Sequence, residues 1–355
     1  MLRRSSHLLQ HVKKLELELQ SYIPKPPAPM ASFETPKEED IPLVQTLFAG
    51  LTTIHLKAKS DFCPWYLSTS GLVKTIGQAL AVTRTLDTLD VTGLPDFPIR
   101  LLMGCRYLRR LRVSRLGDED DDAEVVETVN YLLETGASAD RDIRCTPTFL
   151  HLDAESSIHT LQLLKNPRGP VNLGEIRELS THWGRYRDFE QRGIRGSDWI
   201  QLASLRLCVM DWQLFTRYNL DRSICKVHHR PVPALATFKG LKTMIFCAAF
   251  RLWGDSLINP LCWIVEVLEG TIQSRNTLNK LLLKLQFQDF TELESVVLSD
   301  IDWSPLDTLH KSFSKLEEVI LHLRVSTLEQ EQRLLKNKGL QKLQLHNFDF
   351  RFDYR

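Results

Sequence analysis

Cys225-x-x-His228-His229 is the densest group of metal-ligating side chains in the chain. A structural zinc site needs four such donors, usually as two pairs at ligand spacing. No second pair stands at that spacing, so no metal site is expected. His55, His151, His182 and His346 lie far apart, and no motif ties a carboxylate or nucleophile to them. A glycine-rich phosphate loop, H-E-x-x-H and G-x-S-x-G are all missing. No catalytic residue and no cofactor are therefore expected, and the chain reads as a non-enzyme.

Arg109, Arg110, Arg112 and Arg115 crowd one short segment and could contact phosphate or an acidic peptide. Between Trp183 and Trp199, aromatics (Trp183, Tyr186, Trp199) alternate with Arg185, Arg187, Arg192 and Arg195. This segment reads as an irregular loop over 183–198 anchored by tryptophans rather than as an RNA platform. Lys and Arg total 45 against 44 Asp and Glu, so the broad basic footprint of nucleic-acid proteins is lacking. The acidic run Asp118 to Asp122 suits the start of a helix reaching to about Glu134, where carboxylates complement the helix dipole.

The 355 residues are 43% hydrophobic and 25% charged, ordinary values for a chain able to bury a large core. No apolar run approaches the length of a membrane span, so no membrane contact is expected. Met1 to Leu9 carries two arginines but no continuous apolar stretch, so a signal peptide is not expected either. The seven cysteines are odd in number, scattered and free of C-x-x-C. They read as reduced, buried thiols of a cytoplasmic or nuclear protein.

The elements that would position these residues follow one template, L-x-x-L-x-L. It occurs at Leu51-x-x-Ile54-x-Leu56, Leu86-x-x-Leu89-x-Val91, Leu108-x-x-Leu111-x-Val113 and Leu202-x-x-Leu205-x-Leu207. It returns at Leu241-x-x-Met244-x-Phe246, Leu278-x-x-Leu281-x-Leu283 and Leu316-x-x-Val319-x-Leu321. Two further matches are Leu293 to Leu298 and Leu340-x-x-Leu343-x-Leu345. Val12-Lys-Lys-Leu15-Glu-Leu17-Glu-Leu19 alternates as a strand, and Phe149 to Leu152 and Ile176 to Leu179 are degenerate copies. Alternate apolar residues give each strand one buried face.

Helices fit between most strands, near 3–11, 43–49, 72–82, 257–272 and 327–335. The unit at Leu293 is expected to continue into a helix capped by Ser304, with Pro305 in the first turn and Asp307 completing a capping box. The prolines at 24, 26, 27, 29, 36 and 42 mark residues 22–42 as a loop. Where the units are regular they recur every 22 to 24 residues, inside the roughly 20–29 residue period of leucine-rich repeats.

L-x-x-L-x-L resembles the leucine-rich repeat. Gly104-Cys105-Arg-Tyr-Leu108-Arg-Arg-Leu111-Arg-Val113 resembles the cysteine-containing repeats of F-box proteins. Leu298 to Val319 and His11 to Leu17 are similar to units of irregular fungal F-box/leucine-rich-repeat proteins. The repeat's usual ninth-position Asn or Cys is replaced by Leu94, Leu116, Met210, Ile301 and Phe348, so an asparagine ladder is not expected.

The resemblance implies a single α/β solenoid over 1–355, with a curved parallel sheet inside and helices outside. It also implies a protein-binding module, in one form the substrate-recognition part of an F-box-type ubiquitin ligase adaptor. No F-box is evident, so contact with the ligase linker subunit is expected only if one exists upstream. The alternative is a stand-alone structural or inhibitory repeat protein.

In such a solenoid the residues between the leucines form the binding face. The expected face comprises His55, Asp90, Arg110, Arg112 and Arg206, an apolar strip of Ile245, Leu282, Val297 and Ile320, and finally Gln344 and His346. The alternating tail Phe348-Asp-Phe350-Arg-Phe352-Asp-Tyr354 could cover that strip.

Overall fold

A computed structural model describes residues 11–19, 50–58, 80, 83, 85–92, 102, 105–114, 145–152, 171–182, 201–208, 240–253, 256–272, 277–288, 298, 301–309, 313, 315–344 and 348–354. The proline-rich stretch 22–42, the segment 183–198, the acidic run at 118–122, the Cys225–His229 group, Val297 and His346 lie outside the described residues. So do the helix expected near 43–49, that near 3–11 apart from His11, and that near 72–82 apart from Leu80.

The chain divides into two compact units, Met1–Ile176 and Arg177–Arg355. The first contains strands β1 (Lys14–Leu19), β2 (Thr53–Ala58), β3 (Thr88–Thr92), β4 (Arg110–Ser114) and β5 (Phe149–Leu152). They pair in chain order, all parallel. The second contains β6 (Glu178–His182), β7 (Ser204–Cys208), β8 (Thr243–Trp253), β9 (Ser256–Ile258), β10 (Lys280–Gln288), β11 (Glu318–Val325) and β12 (Phe348–Tyr354). These too are parallel neighbours in chain order, except β9, which folds back antiparallel on β8. Helices α1 (Leu261–Ile272), α2 (Leu328–Lys336) and α3 (Lys338–Gln344) belong to the second unit.

One backbone device recurs. The carbonyl just before a strand accepts two successive amides from the start of the next strand. Lys13 O takes Thr52 and Thr53 N–H, Thr52 O takes Asp87 and Thr88, Asp87 O takes Arg109 and Arg110, and Arg109 O takes Thr148 and Phe149, all at 2.8–3.1 Å. In the second unit Arg177, Ala203, Lys242 and Asn279 carbonyls do the same for β7, β8, β10 and β11. The first leucine of the template sits two residues before its strand and is buried, as at Leu51, Leu86, Leu108, Leu202, Leu241, Leu278 and Leu316. The buried leucine and the doubly used carbonyl together set the register, because a one-residue slip would turn the apolar face outward.

The buried layer behind the strands is nearly closed to solvent. Ile54, Leu89, Leu111 and Leu150 are 0% exposed in the first unit, and Leu205, Met244, Leu281 and Leu321 in the second. Burying one such side chain fully contributes about 1.5–3 kcal/mol. Aromatic packing adds to the second core: Phe246 meets Trp263 of α1 edge-on at 5.6 Å, and Phe250 stacks on Phe287 at 5.1 Å.

Two template matches do not supply the sheet strand expected of them. β10 pairs directly with β11, with Leu282 opposite Ile320, so no strand stands between these two, and Leu293 to Val297 lie outside the described residues. Leu298 lies in a 3-10 turn, and Leu298, Ile301, Leu306, Leu309 and Phe313 are buried as a connection. The expected helix opens as a 3-10 turn, Ser304–Thr308, whose first amide, that of Ser304, is accepted by Asp302 Oδ1 at 2.9 Å; beyond it Leu309 is helical and accepts the Phe313 amide at 2.9 Å. Ser304 does not cap it; Trp303 holds that position without a side-chain bond.

The match at Leu340 is helix α3, and its strand begins later, at Phe348. Leu340 and Leu343 are three apart, a spacing that suits one face of a helix as well as a strand template. Asn337 decides between them. Its Oδ1 accepts the Leu340 amide at 3.1 Å, a helix cap, and its Nδ2 donates to the Leu298 and Ile301 carbonyls at 3.3 and 3.1 Å. Gly339 passes so close to Trp303 that an added Cβ would come within 3.3 Å of its side chain. The tail does not lie over the apolar strip: β12 joins the sheet beside β11, with Leu321 opposite Phe350. No helix among the described residues is long and apolar enough to cross a membrane.

Candidate functional site

Opposite the buried layer, each unit has a second sheet face, and the parallel register aligns its side chains in rows. In the first unit one row runs Glu16, His55, Asp90, Arg112, His151. Asp90 is its hub. Its carboxylate lies 3.4 Å from His55 Nδ1 and 3.9 Å from Arg112 Nη1, and it accepts the Thr92 hydroxyl at 3.0 Å. The side chain of Asp90 is only 15% exposed, whereas Arg112 is 54% exposed. The carboxylate is thus consumed within the row while the guanidinium faces water. In the adjacent row Arg110 lies 4.5 Å over the Phe149 ring, a contact of about 0.5–1 kcal/mol at an exposed site. His55, Asp90, Arg110 and Arg112 are therefore brought together.

The second unit differs. One row runs Ser180, Arg206, Ile245, Leu282, Ile320, Asp349. The expected four-residue apolar strip is three residues long here, Val297 being outside the described residues. Ile245 and Leu282 are half-buried, and Ile320 is 3% exposed, so the strip is not an open apolar patch. Lys280 and Glu318 close one side with an ion pair at 2.5 Å. Gln344 is not on the sheet; it is exposed at the end of α3, because Asn337 starts a helix where a strand was expected.

The next row, Cys208, Cys247, Lys284, His322, Arg351, was not singled out in the sequence. The signal was present: the first four of these residues occupy the seventh position of the units at Leu202, Leu241, Leu278 and Leu316. Arg206 Nε donates to Cys247 Sγ at 3.2 Å. A hydrogen bond from the Cys208 thiol, then the Arg206 charge and hydrogen bond and the Lys284 charge, hold Cys247 down at about 6 against the opposing effect of burial. Cys208 is pushed up, first by that same bond and then by burial. His322 Nε2 lies 2.9 Å from Asp353.

The reading of the cysteines as buried thiols fits only some of them. Cys105 and Cys145 are buried, with burial pushing Cys105 up to about 12. Cys208 and Cys247 are half-buried and Cys262 is exposed. Alternation decides this for the first two: the seventh position of a unit falls on the face away from the leucines. No group of three or more His, Cys, Asp or Glu side chains that could hold a metal ion gathers among the described residues.

The residues in hand define an α/β chain of parallel strands, with few helices among the described residues, carrying a charged face in one unit and a thiol-bearing face in the other. No protein-family model matches the sequence, and no curated protein matches it.

Proposed function

We propose that the chain is a non-catalytic, leucine-rich-repeat-like protein-binding module whose sheet face in residues 1–176 grips an acidic segment of a protein partner. The supporting observation is the row around Asp90, where the carboxylate is spent internally and Arg112 is left to solvent beside Arg110 on its aromatic rest. Arginine and aromatic side chains are the groups most often dominant in protein interfaces. Parallel strands in chain order, most of them led by a buried leucine, support the repeat reading and the curved solenoid it implies. No cofactor, nucleic acid or membrane enters this reading. One form of it makes the chain the recognition part of a ubiquitin ligase adaptor, which would bind the ligase linker subunit through an F-box if one exists upstream.

The test is quantitative affinity enrichment from an extract of the source organism, comparing the wild type with the double variant Arg110→Glu and Arg112→Glu. The partner set should fall at least about tenfold, as expected for two interface cations worth about 1 kcal/mol or more each. Circular dichroism and a urea midpoint check that the variant is folded. Undiminished capture by a folded variant would reject the face.

A further inference from the structure

We propose that Cys247 is a reactive thiol, modified by hydroperoxides and soft electrophiles, and that Cys208 is its resolving partner. The two cysteines are direct partners on adjacent parallel strands β7 and β8. Neighbouring strands lie about 4.8 Å apart, inside the roughly 4.4–6.8 Å between Cα atoms that a disulfide spans. Both thiols are free and half-buried, so a small oxidant can reach them while bulk water is partly excluded.

Arg206, one row away on β7, donates to the Cys247 sulfur, and Lys284 is the partner of Cys247 on β10. Two cations and one thiol donor therefore surround the Cys247 sulfur, Arg206 being shared with Cys208, and such an environment makes a cysteine nucleophilic. The remaining titratable residues in register along the row are His182 on β6, opposite Cys208, His322 on β11, opposite Lys284, and Arg351 on β12, opposite His322. Cys105 and Cys145 provide the contrast within the same protein: both are buried, and burial raises both.

The chemistry balances in two steps. The Cys247 thiolate attacks the terminal oxygen of a hydroperoxide and the O–O bond breaks. The departing alkoxide or hydroxide takes a proton from water, and Cys247 becomes a sulfenic acid. The Cys208 sulfur then attacks the Cys247 sulfur, its proton leaving with the hydroxyl as water. The two thiols lose two electrons and the peroxide gains them. The product is a disulfide across β7 and β8 that removes the anion from beside Arg206 and Lys284.

Rates of alkylation follow from the same geometry. Arg206, Lys284 and the Cys208 thiol favour the Cys247 thiolate at a lower pH than that at which an unstructured cysteine ionises. Cys247 should therefore react with iodoacetamide several-fold faster than an unstructured cysteine peptide at pH 6. That advantage should shrink as the pH rises and ordinary thiols also ionise, because a less basic thiolate is also less nucleophilic.

The experiment uses the full reduced chain. The pH profile of iodoacetamide labelling at Cys247 is followed by peptide mass spectrometry, and the hydrogen-peroxide product is mapped without reduction. The expected results are a labelling midpoint below that of an unstructured cysteine peptide and a peptide pair joining Cys208 to Cys247, lighter by two hydrogens. Cys208→Ser should leave a dimedone-trappable sulfenic acid on Cys247 and no disulfide, and Arg206→Gln should move the labelling midpoint upward. Labelling of the wild type no faster than the peptide at pH 6 would overturn the proposal, as would peroxide that joins other cysteines first. The wild-type profile needs no variant to fold.

Discussion

The central row of residues 1–176 sets His55 and Arg112 at 3.4 and 3.9 Å from the Asp90 carboxylate, whereas that of 177–355 places Ile245, Leu282 and Ile320 side by side. Both rows occupy the fifth position of the same template and both lie opposite a closed leucine layer. The difference is in what the side chains offer one another. In the first row His55 and Arg112 approach Asp90 laterally, whereas in the second the apolar side chains run up to the buried Ile320. Beside that apolar row Arg206 donates to Cys247, with Lys284 opposite it.

The largest expected effect breaks this contrast directly. Ile320→Asp would place a carboxylate where the native side chain is 3% exposed, and should cost about 3–5 kcal/mol, read as a lowered urea midpoint. Its neighbours Leu282 and Asp349 offer it no cation in the row. A loss below about 1 kcal/mol would mean that the apolar row is as wet as the charged one.

A smaller effect separates the two cysteine pairs. Cys145→Ser puts a hydroxyl into the closed core and should cost about 1–3 kcal/mol, whereas Cys208→Ser, on the half-buried face, should stay within about 0.5 kcal/mol. Equal losses in the urea midpoint would erase the distinction between the pairs. The smallest effect sharpens the charged row: Arg112→Ala should change stability by less than about 0.5 kcal/mol, since its ion pair is long and its own side chain more than half exposed. The same change should still weaken capture of an acidic partner, which separates a binding role from a packing one.

Much of the strand order was legible in the residues, because a strand with one buried face writes its period directly, as in Leu89 and Val91 or Leu205 and Leu207. Leu298 with Ile301, and Leu340 with Leu343, misled for a physical reason. A connection that packs behind the sheet buries leucines as thoroughly as a strand does. What distinguishes them is the hydrogen bonding of Asn337: its cap to Leu340 is local, but the Leu298 and Ile301 carbonyls that hold its amide lie 39 and 36 residues away and leave no mark in the spacing. The charged part of the candidate face could be read because Arg110 and Arg112 alternate with Leu111 and Val113. The thiol row could not be read from cysteine spacing, since Cys208 and Cys247 meet only through the register of two strands.

The doubly used carbonyls before the strands carry a consequence for how such a chain changes length. Eight strand starts are each fastened to the preceding strand by the same two amides, so a complete added unit would find a waiting acceptor and would offer one in turn. A single added residue would misalign both. Tolerated insertions should therefore fall into two kinds, whole modules at the joints and arbitrary lengths far from them, with little in between.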